Sequence, residues 1–179
     1  AQVVFGDYNP SGKLTMSFPR AIGQIPIYYN AYSTGRPGPT DDGYYSRYID
    51  EPNTPLYPFG HGLSYTTFTY SDLSIDDSNP SNITVKVNVT NSGTVAGEEI
   101  TQLYIRDITG TIVRPIKELK GFQKFMLQPG ASQKLSFTLT QAELGFFMPD
   151  GSYVVEPGKF EVFVGTSSIS HLQGTFTLR

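Results

Sequence analysis

The sequence predicts a mainly β protein, most of it an antiparallel sandwich, and three observations carry that prediction. Short runs alternating apolar and polar residues recur about every ten positions after residue 67, and turn residues close most of them. The composition agrees. Among 179 residues are 18 Gly, 13 Pro, 12 Tyr and 12 Phe, while only 16% are charged. Such a balance suits a globular β chain and neither a disordered nor a coiled-coil one.

In order, residues 83–90 (Ile-Thr-Val-Lys-Val-Asn-Val-Thr) alternate with period two and end at the turn Asn91-Ser92-Gly93. Residues 100–105 form the next predicted strand, and 122–127 form another, closed by Gln128-Pro129-Gly130. Residues 135–139 alternate again. Residues 146–148 meet Pro149-Asp150-Gly151, and 153–155 meet Glu156-Pro157-Gly158. Residues 160–164 and 174–178 complete the series. Seven or eight short strands within 68–179 match an immunoglobulin- or fibronectin-type sandwich in number and length.

The first third reads differently. Residues 1–5 are an apolar run before Gly6, a residue suited to the left-handed end of a helix, so the chain is expected to begin in the last turn of a helix whose earlier turns lie upstream. It would then be a fragment or a processing product. Residues 13–18 place Leu14, Met16 and Phe18 on one side of an expected strand. Residues 20–58 are richer in Pro, Gly and Tyr than in aliphatics and cannot build a core. So long a stretch without periodicity is expected to lie against a larger body.

Several chemistries are excluded or disfavoured. The formal net charge is −3, with no clustered basic surface, which argues against nucleic-acid binding. Cysteine is absent, so disulfides and thiolate chemistry are excluded. No run approaches the ~18 apolar residues of a membrane span. His61 and His171 lack ligand-spaced partners and read as packing or surface residues. The phrase Gly60-His61-Gly62-Leu63-Ser64-Tyr65 fits neither a dinucleotide loop nor a nucleophile elbow. Glu98 and Glu99 point to opposite faces of a regular strand, so they cannot share a site. Asp41-Asp42 and Asp76-Asp77 read as solvated turn carboxylates, with weak calcium binding as the minor alternative. Asn82-Ile83-Thr84 and Asn88-Val89-Thr90 both fit the N-glycosylation pattern. Nothing in the sequence calls for a cofactor or a metal.

The aromatic cluster Tyr28, Tyr29, Tyr32, Tyr44, Tyr45 and Tyr48 with Arg36 and Arg47 is the most suggestive stretch. Tyrosine faces suit the C–H surface of a sugar ring, and Arg donates to its hydroxyls. The same residues suit a seam against another domain, which is the favoured reading. Tyr44, Tyr45, Arg47 and Arg36 are the candidates for a substrate rim or a domain seam.

Several ordered phrases resemble the C-terminal end of glycoside hydrolase family 3, the β-glucosidase and β-xylosidase group. They include Gly6-Asp7-Tyr8-Asn9-Pro10-Ser11-Gly12-Lys13, Thr34-Gly35-Arg36-Pro37, Pro55-Leu56-Tyr57-Pro58-Phe59-Gly60-His61-Gly62-Leu63-Ser64-Tyr65 and Lys117-Glu118-Leu119-Lys120-Gly121-Phe122. The resemblance implies that residues 1–67 are the C-terminal end of an α/β sandwich domain plus a linker, and that 68–179 are a fibronectin type III-like module. It further implies retaining hydrolysis of terminal β-linked sugars by two carboxylates. In the family the aspartate nucleophile lies in the N-terminal barrel, and the acid/base glutamate in an earlier part of the second domain. Neither motif occurs here, so the chain alone is expected to be inactive and to brace the catalytic domains, its upstream partners. A β-glucoside or oligosaccharide would be the substrate of the parent, and a secreted or periplasmic location is implied. The other class to weigh is an independent carbohydrate-binding or adhesive sandwich, which calls for an exposed aromatic row on one sheet.

Overall fold

The computed structural model of the chain describes residues 1–35, 47–169 and 172–179. It begins with a single turn of helix, α1 (Gln2–Phe5), which ends at Gly6 with φ +84°, a left-handed geometry that favours glycine. A 3₁₀ turn at Ile22–Gln24 follows. Nine strands come next: β1 (Phe68–Asp76), β2 (Ile83–Asn91), β3 (Gly97–Asp107), β4 (Glu118–Leu127), β5 (Ser132–Leu139), β6 (Phe146–Phe147), β7 (Tyr153–Val154), β8 (Gly158–Gly165) and β9 (Leu172–Leu178). A second helical turn, α2 (Gln141–Leu144), lies between β5 and β6; Thr140 caps it and Glu143 returns to the Thr140 amide in a capping box.

Two antiparallel sheets face each other in a fibronectin III/immunoglobulin-like sandwich. One has the order β1-β2-β5 and the other β4-β3-β8-β9, with β6-β7 as a separate ribbon. The core is built by alternate residues. Ile83, Val85, Val87 and Val89 of β2 and Leu135, Phe137 and Leu139 of β5 meet Leu103, Ile105, Phe160, Val162 and Val164 of the other sheet. The opposite face of β1-β2-β5 holds four registered rows: Thr69-Thr90-Ser132, Ser71-Asn88-Lys134, Ser74-Lys86-Ser136 and Asp76-Thr84-Thr138. Every one is polar. No aromatic row lies on this face.

Each strand predicted after residue 82 is present, with its ends moved by a few residues. The first strand, β1, was not among those predicted, because its inward residues are Phe68 and Tyr70, then Leu73 and Ile75. The period breaks at Asp72, where φ is +55° and the pairing with β2 shifts register. The expected strand at 13–18 is instead an irregular ribbon. Leu14 pairs with His61 and Gly60, and Phe18 forms an isolated bridge with Tyr57.

Asn91, fully buried at the end of β2, ties four segments together. Its Oδ1 accepts from Thr66 Oγ1 (2.6 Å) and the Gly93 amide (3.1 Å), and its Nδ2 donates to the carbonyls of Val95 (2.8 Å) and Leu127 (3.0 Å). Asn91→Ala would leave two carbonyls without this donor, and it is expected to lower stability by about 2–4 kcal/mol. Asn91→Asp, which places an acceptor against those carbonyls, should rescue little of the loss. Urea unfolding of both variants checks this.

Candidate functional site

The described residues of 1–67 form no named strand and cover the outer face of β3 and β4. Gln102 and Tyr104 point away from the sandwich core yet are buried. Gln102 Nε2 donates to the carbonyls of Gly60 (3.1 Å) and Thr166 (2.7 Å), and its Oε1 accepts from Tyr104 Oη. Tyr29 stacks on Phe59 with ring centroids 4.2 Å apart and meets Tyr104 edge-on at 5.9 Å. Gly60 has φ +79°, and a methyl group there would overlap the Gln102 carboxamide. Glycine is therefore required at this crossing for both conformation and space.

Charges pin the same seam. Lys13 Nζ bonds both Glu99 carboxylate oxygens (3.2 and 3.3 Å), and Tyr70 Oη donates to Glu99 at 2.9 Å. Glu98, on the other face, pairs with Lys124 (2.7 Å) and accepts from Ser11 (3.1 Å). The two neighbouring carboxylates thus act separately, as strand geometry requires. Asn9 donates to the Ala96 carbonyl and accepts from Ser64 Oγ and the Tyr65 amide. Farther along, Arg114 lies 4.3 Å from the Phe146 ring centroid and pairs with Glu118 at 2.8 Å and Asp107 at 3.8 Å. This holds the loop before β4 so that Pro115 bridges to Tyr32 and the Ile116 amide reaches the Ala31 carbonyl.

The described residues of 1–67 also expose many large apolar side chains. Among the described residues, sixteen of the twenty-five exposed large apolar side chains belong to this segment; Ile49 is 93% exposed, Ile22 88%, Val4 81% and Phe5 79%. A groove of about 550 Å³ runs along it, walled by Phe18, Tyr57, His61 and Leu63. His61 stacks on Tyr57 at 5.1 Å, a packing role. Of the sequence candidates, Arg47 is exposed beside this surface's Tyr48 and Ile49, whereas Arg36, Tyr44 and Tyr45 lie outside the described residues, as do Asp41, Asp42 and His171. Among the described residues no group of three or more His, Asp or Glu side chains could hold a metal ion. Sequence reasoning missed Lys13, Gln102 and Lys117; their partners lie tens of residues away, and no local period marks them.

Two outcomes follow from this seam. Gly60→Ala is expected to cost at least about 1–2 kcal/mol from the backbone conformation alone, with the overlap added, and to appear as a lowered thermal midpoint. The second concerns pH. Burial pushes the Glu99 carboxyl above its ordinary value of 4.5, and the Lys13 charge and the Tyr70 hydroxyl oppose that push. The folded chain then holds this proton more tightly than the unfolded one, so the contribution of Glu99 to stability falls as pH rises above 4.5 through the folded value. Lys13→Met removes the opposing charge. It is expected to cost about 3–5 kcal/mol near neutral pH and much less in acid, where Glu99 carries its proton. Urea midpoints from pH 4 to 8 would contradict this if the cost did not depend on pH.

Comparison with known proteins places this geometry in a family. The glycosyl hydrolase family 3 C-terminal domain matches residues 1–65, and the fibronectin type III-like domain matches residues 99–168. A periplasmic β-glucosidase of Salmonella typhimurium is 49% identical over 99% of this chain and 24% of its own length. A putative β-xylosidase of Formosa agariphila is 41% identical over the whole chain and 23% of its own length. The crystal structure of a β-glucosidase from Listeria innocua in complex with glucose superposes with a TM-score of 0.93 at 42% identity, covering 99% of this chain and 25% of that one. The chain spans about a quarter of the length of the relatives it matches. With both domain matches in sequence order and the fold shared almost end to end, the chain belongs to glycosyl hydrolase family 3, to its C-terminal domain and fibronectin type III-like region.

Proposed function

We propose that this chain works as the C-terminal part of a retaining β-glycosidase, a β-glucosidase in the first instance, and that it braces the catalytic domains without supplying the catalytic carboxylates. The observation that carries the proposal is the two-sidedness of the molecule. One surface is a grid of Ser, Thr, Asn, Asp and Lys side chains, while the described residues of 1–67 expose sixteen large apolar side chains. Contiguous apolar surface beyond a few hundred Å² marks an interaction site in soluble proteins. The partner proposed is the remainder of a family 3 polypeptide, which in the relatives accounts for about three quarters of the length.

Bracing would act through buried area and restricted domain motion. Hydrolysis would use two carboxylates of the partner, one as nucleophile and one as acid then base. The relatives include β-glucosidases and β-xylosidases, so the terminal sugar is proposed as glucose with xylose as the neighbouring choice. A secreted or periplasmic location belongs to the same proposal and rests on the family resemblance.

Replacing the matching quarter of the Listeria innocua β-glucosidase with this chain tests the reading. The chimera is expected to hydrolyse a chromogenic β-glucoside, the isolated chain is not, and Ile22→Asp with Leu56→Asp should lower the chimera's thermal midpoint. Normal turnover by the isolated chain would overturn the assignment of chemistry elsewhere. An inactive chimera together with tight binding of cello- or xylo-oligosaccharides by the isolated chain would favour an independent carbohydrate-binding module instead.

A further inference from the structure

Where Tyr28 and Tyr29, the loop before β4 and the turn after β8 meet, there is a cavity of about 250 Å³. It falls just below the ~300–1,000 Å³ of pockets that take drug-sized ligands, so it suits one small ring or acid. Among the described residues, two polar groups of its wall keep hydrogen-bonding capacity that the protein does not use. Lys117 is partly buried, and burial holds its ammonium below the ordinary lysine value. Its Nζ donates to the Ser168 carbonyl at 2.6 Å and sits 4.1 Å from the Phe163 ring centroid and 5.9 Å from that of Tyr104. No carboxylate among the described residues lies within ion-pair distance of it; the charge of Glu161 on β8 reaches it from farther off. An ammonium has three donors, and one is used in a hydrogen bond to the protein.

The second group is Ser17, 7% exposed in the same wall, whose hydroxyl has no hydrogen-bond partner among the described residues. Lys117 is held by a carbonyl and two rings with donors to spare, and Ser17 lines the cavity with its hydroxyl unused, so both can meet a ligand there. The rest of the wall suits a ring: Tyr28 is 66% exposed, and Tyr29 is held rigid by its stack on Phe59.

We propose that this cavity binds a small hydroxy-carboxylate of the uronic-acid class, its carboxylate on Lys117, a ring hydroxyl on Ser17 and its C–H face on Tyr28. The site is separate from the hydrolysis proposed above and does not depend on it. Charge selects the ligand: a neutral sugar satisfies Ser17 and Tyr28 but leaves the ammonium without a counter-charge, and acetate satisfies only the ammonium.

The test is a calorimetric titration of the 179-residue chain with D-glucuronate, D-glucose and acetate at pH 7. Glucuronate is expected to saturate with a Kd on the order of 1 mM, with glucose and acetate about tenfold weaker or more, since the charge-assisted bond is the strong contact. Lys117→Met should abolish the preference for glucuronate over glucose, Lys117→Arg should keep part of it, and Ser17→Ala should weaken binding several-fold. Equal binding of glucuronate and glucose, no saturation at tens of millimolar, or unchanged binding by folded Lys117→Met would each overturn the proposal. If Lys117→Met does not fold, protection of Lys117 from an amine-acetylating reagent by glucuronate decides in its favour, and absence of protection decides against it.

Discussion

Strand β3 is buried on both faces, and the rest of the molecule is arranged around that constraint. Its inward residues Leu103 and Ile105 meet the core, while outward Gln102 and Tyr104 are covered by Gly60, Phe59 and Tyr29. A strand in this position reads as nearly continuous burial, not as alternation. Polar groups on it must then find partners inside the protein. That is why Gln102 takes two carbonyls and a phenol, and why Glu99 takes Lys13 and Tyr70. The linker and the sandwich are joined by a set of polar bonds that specify one register, with apolar contact between them.

Because the same segment that completes β3 also carries exposed apolar side chains, it has two apolar sides and little interior. Segments of this kind gain their stability from what they lie between. The turn at 20–24 shows how little internal order is available. Buried Gln24 accepts from the Arg20 amide and donates to the Pro52 carbonyl, so one side chain does what a hydrophobic core would do elsewhere. On the opposite sheet the reverse holds, and four rows of polar side chains expose no apolar row that would gain from being covered.

What could be read from the sequence followed the reach of local signals. The strands from β2 onward announce themselves by period two and by Pro-Gly or Asp-Gly punctuation. β1 does not, because the bulge at Asp72 moves its apolar residues from even to odd positions. The apparent strand at 13–18 has a real period, but its partner segment carries Pro55 and Pro58, which cannot donate, so only fragments of a ladder form. Gly6 was legible as a helix end because φ +84° leaves glycine as the natural choice. The capping box at Thr140 and Glu143 was equally local and was missed within a run of strand signals. The seam was different in kind. Tyrosine content pointed to a covered surface, yet Lys13–Glu99 and Gly60–Gln102 join residues 86 and 42 positions apart, a relation that composition and spacing do not encode.

The carboxylates give the final argument for dividing chemistry from support. Retaining glycosidases hold their two catalytic carboxyl groups about 5–5.5 Å apart. Among the described residues the two carboxyls that burial raises are Glu99 and Asp107, and each is committed to a cation, Lys13 and Arg114 respectively. They stand at opposite ends of β3, eight residues apart, which at ~3.3 Å per residue is about 26 Å. Neighbouring Glu98 and Glu99 are closer in sequence but face opposite sides of the strand, one toward Lys124 and one toward Tyr70. A pair cannot be assembled from these groups without dismantling the strand on which both linker and sandwich depend. In the proposed function the rigidity of β3, buried on both faces, is what makes it a brace.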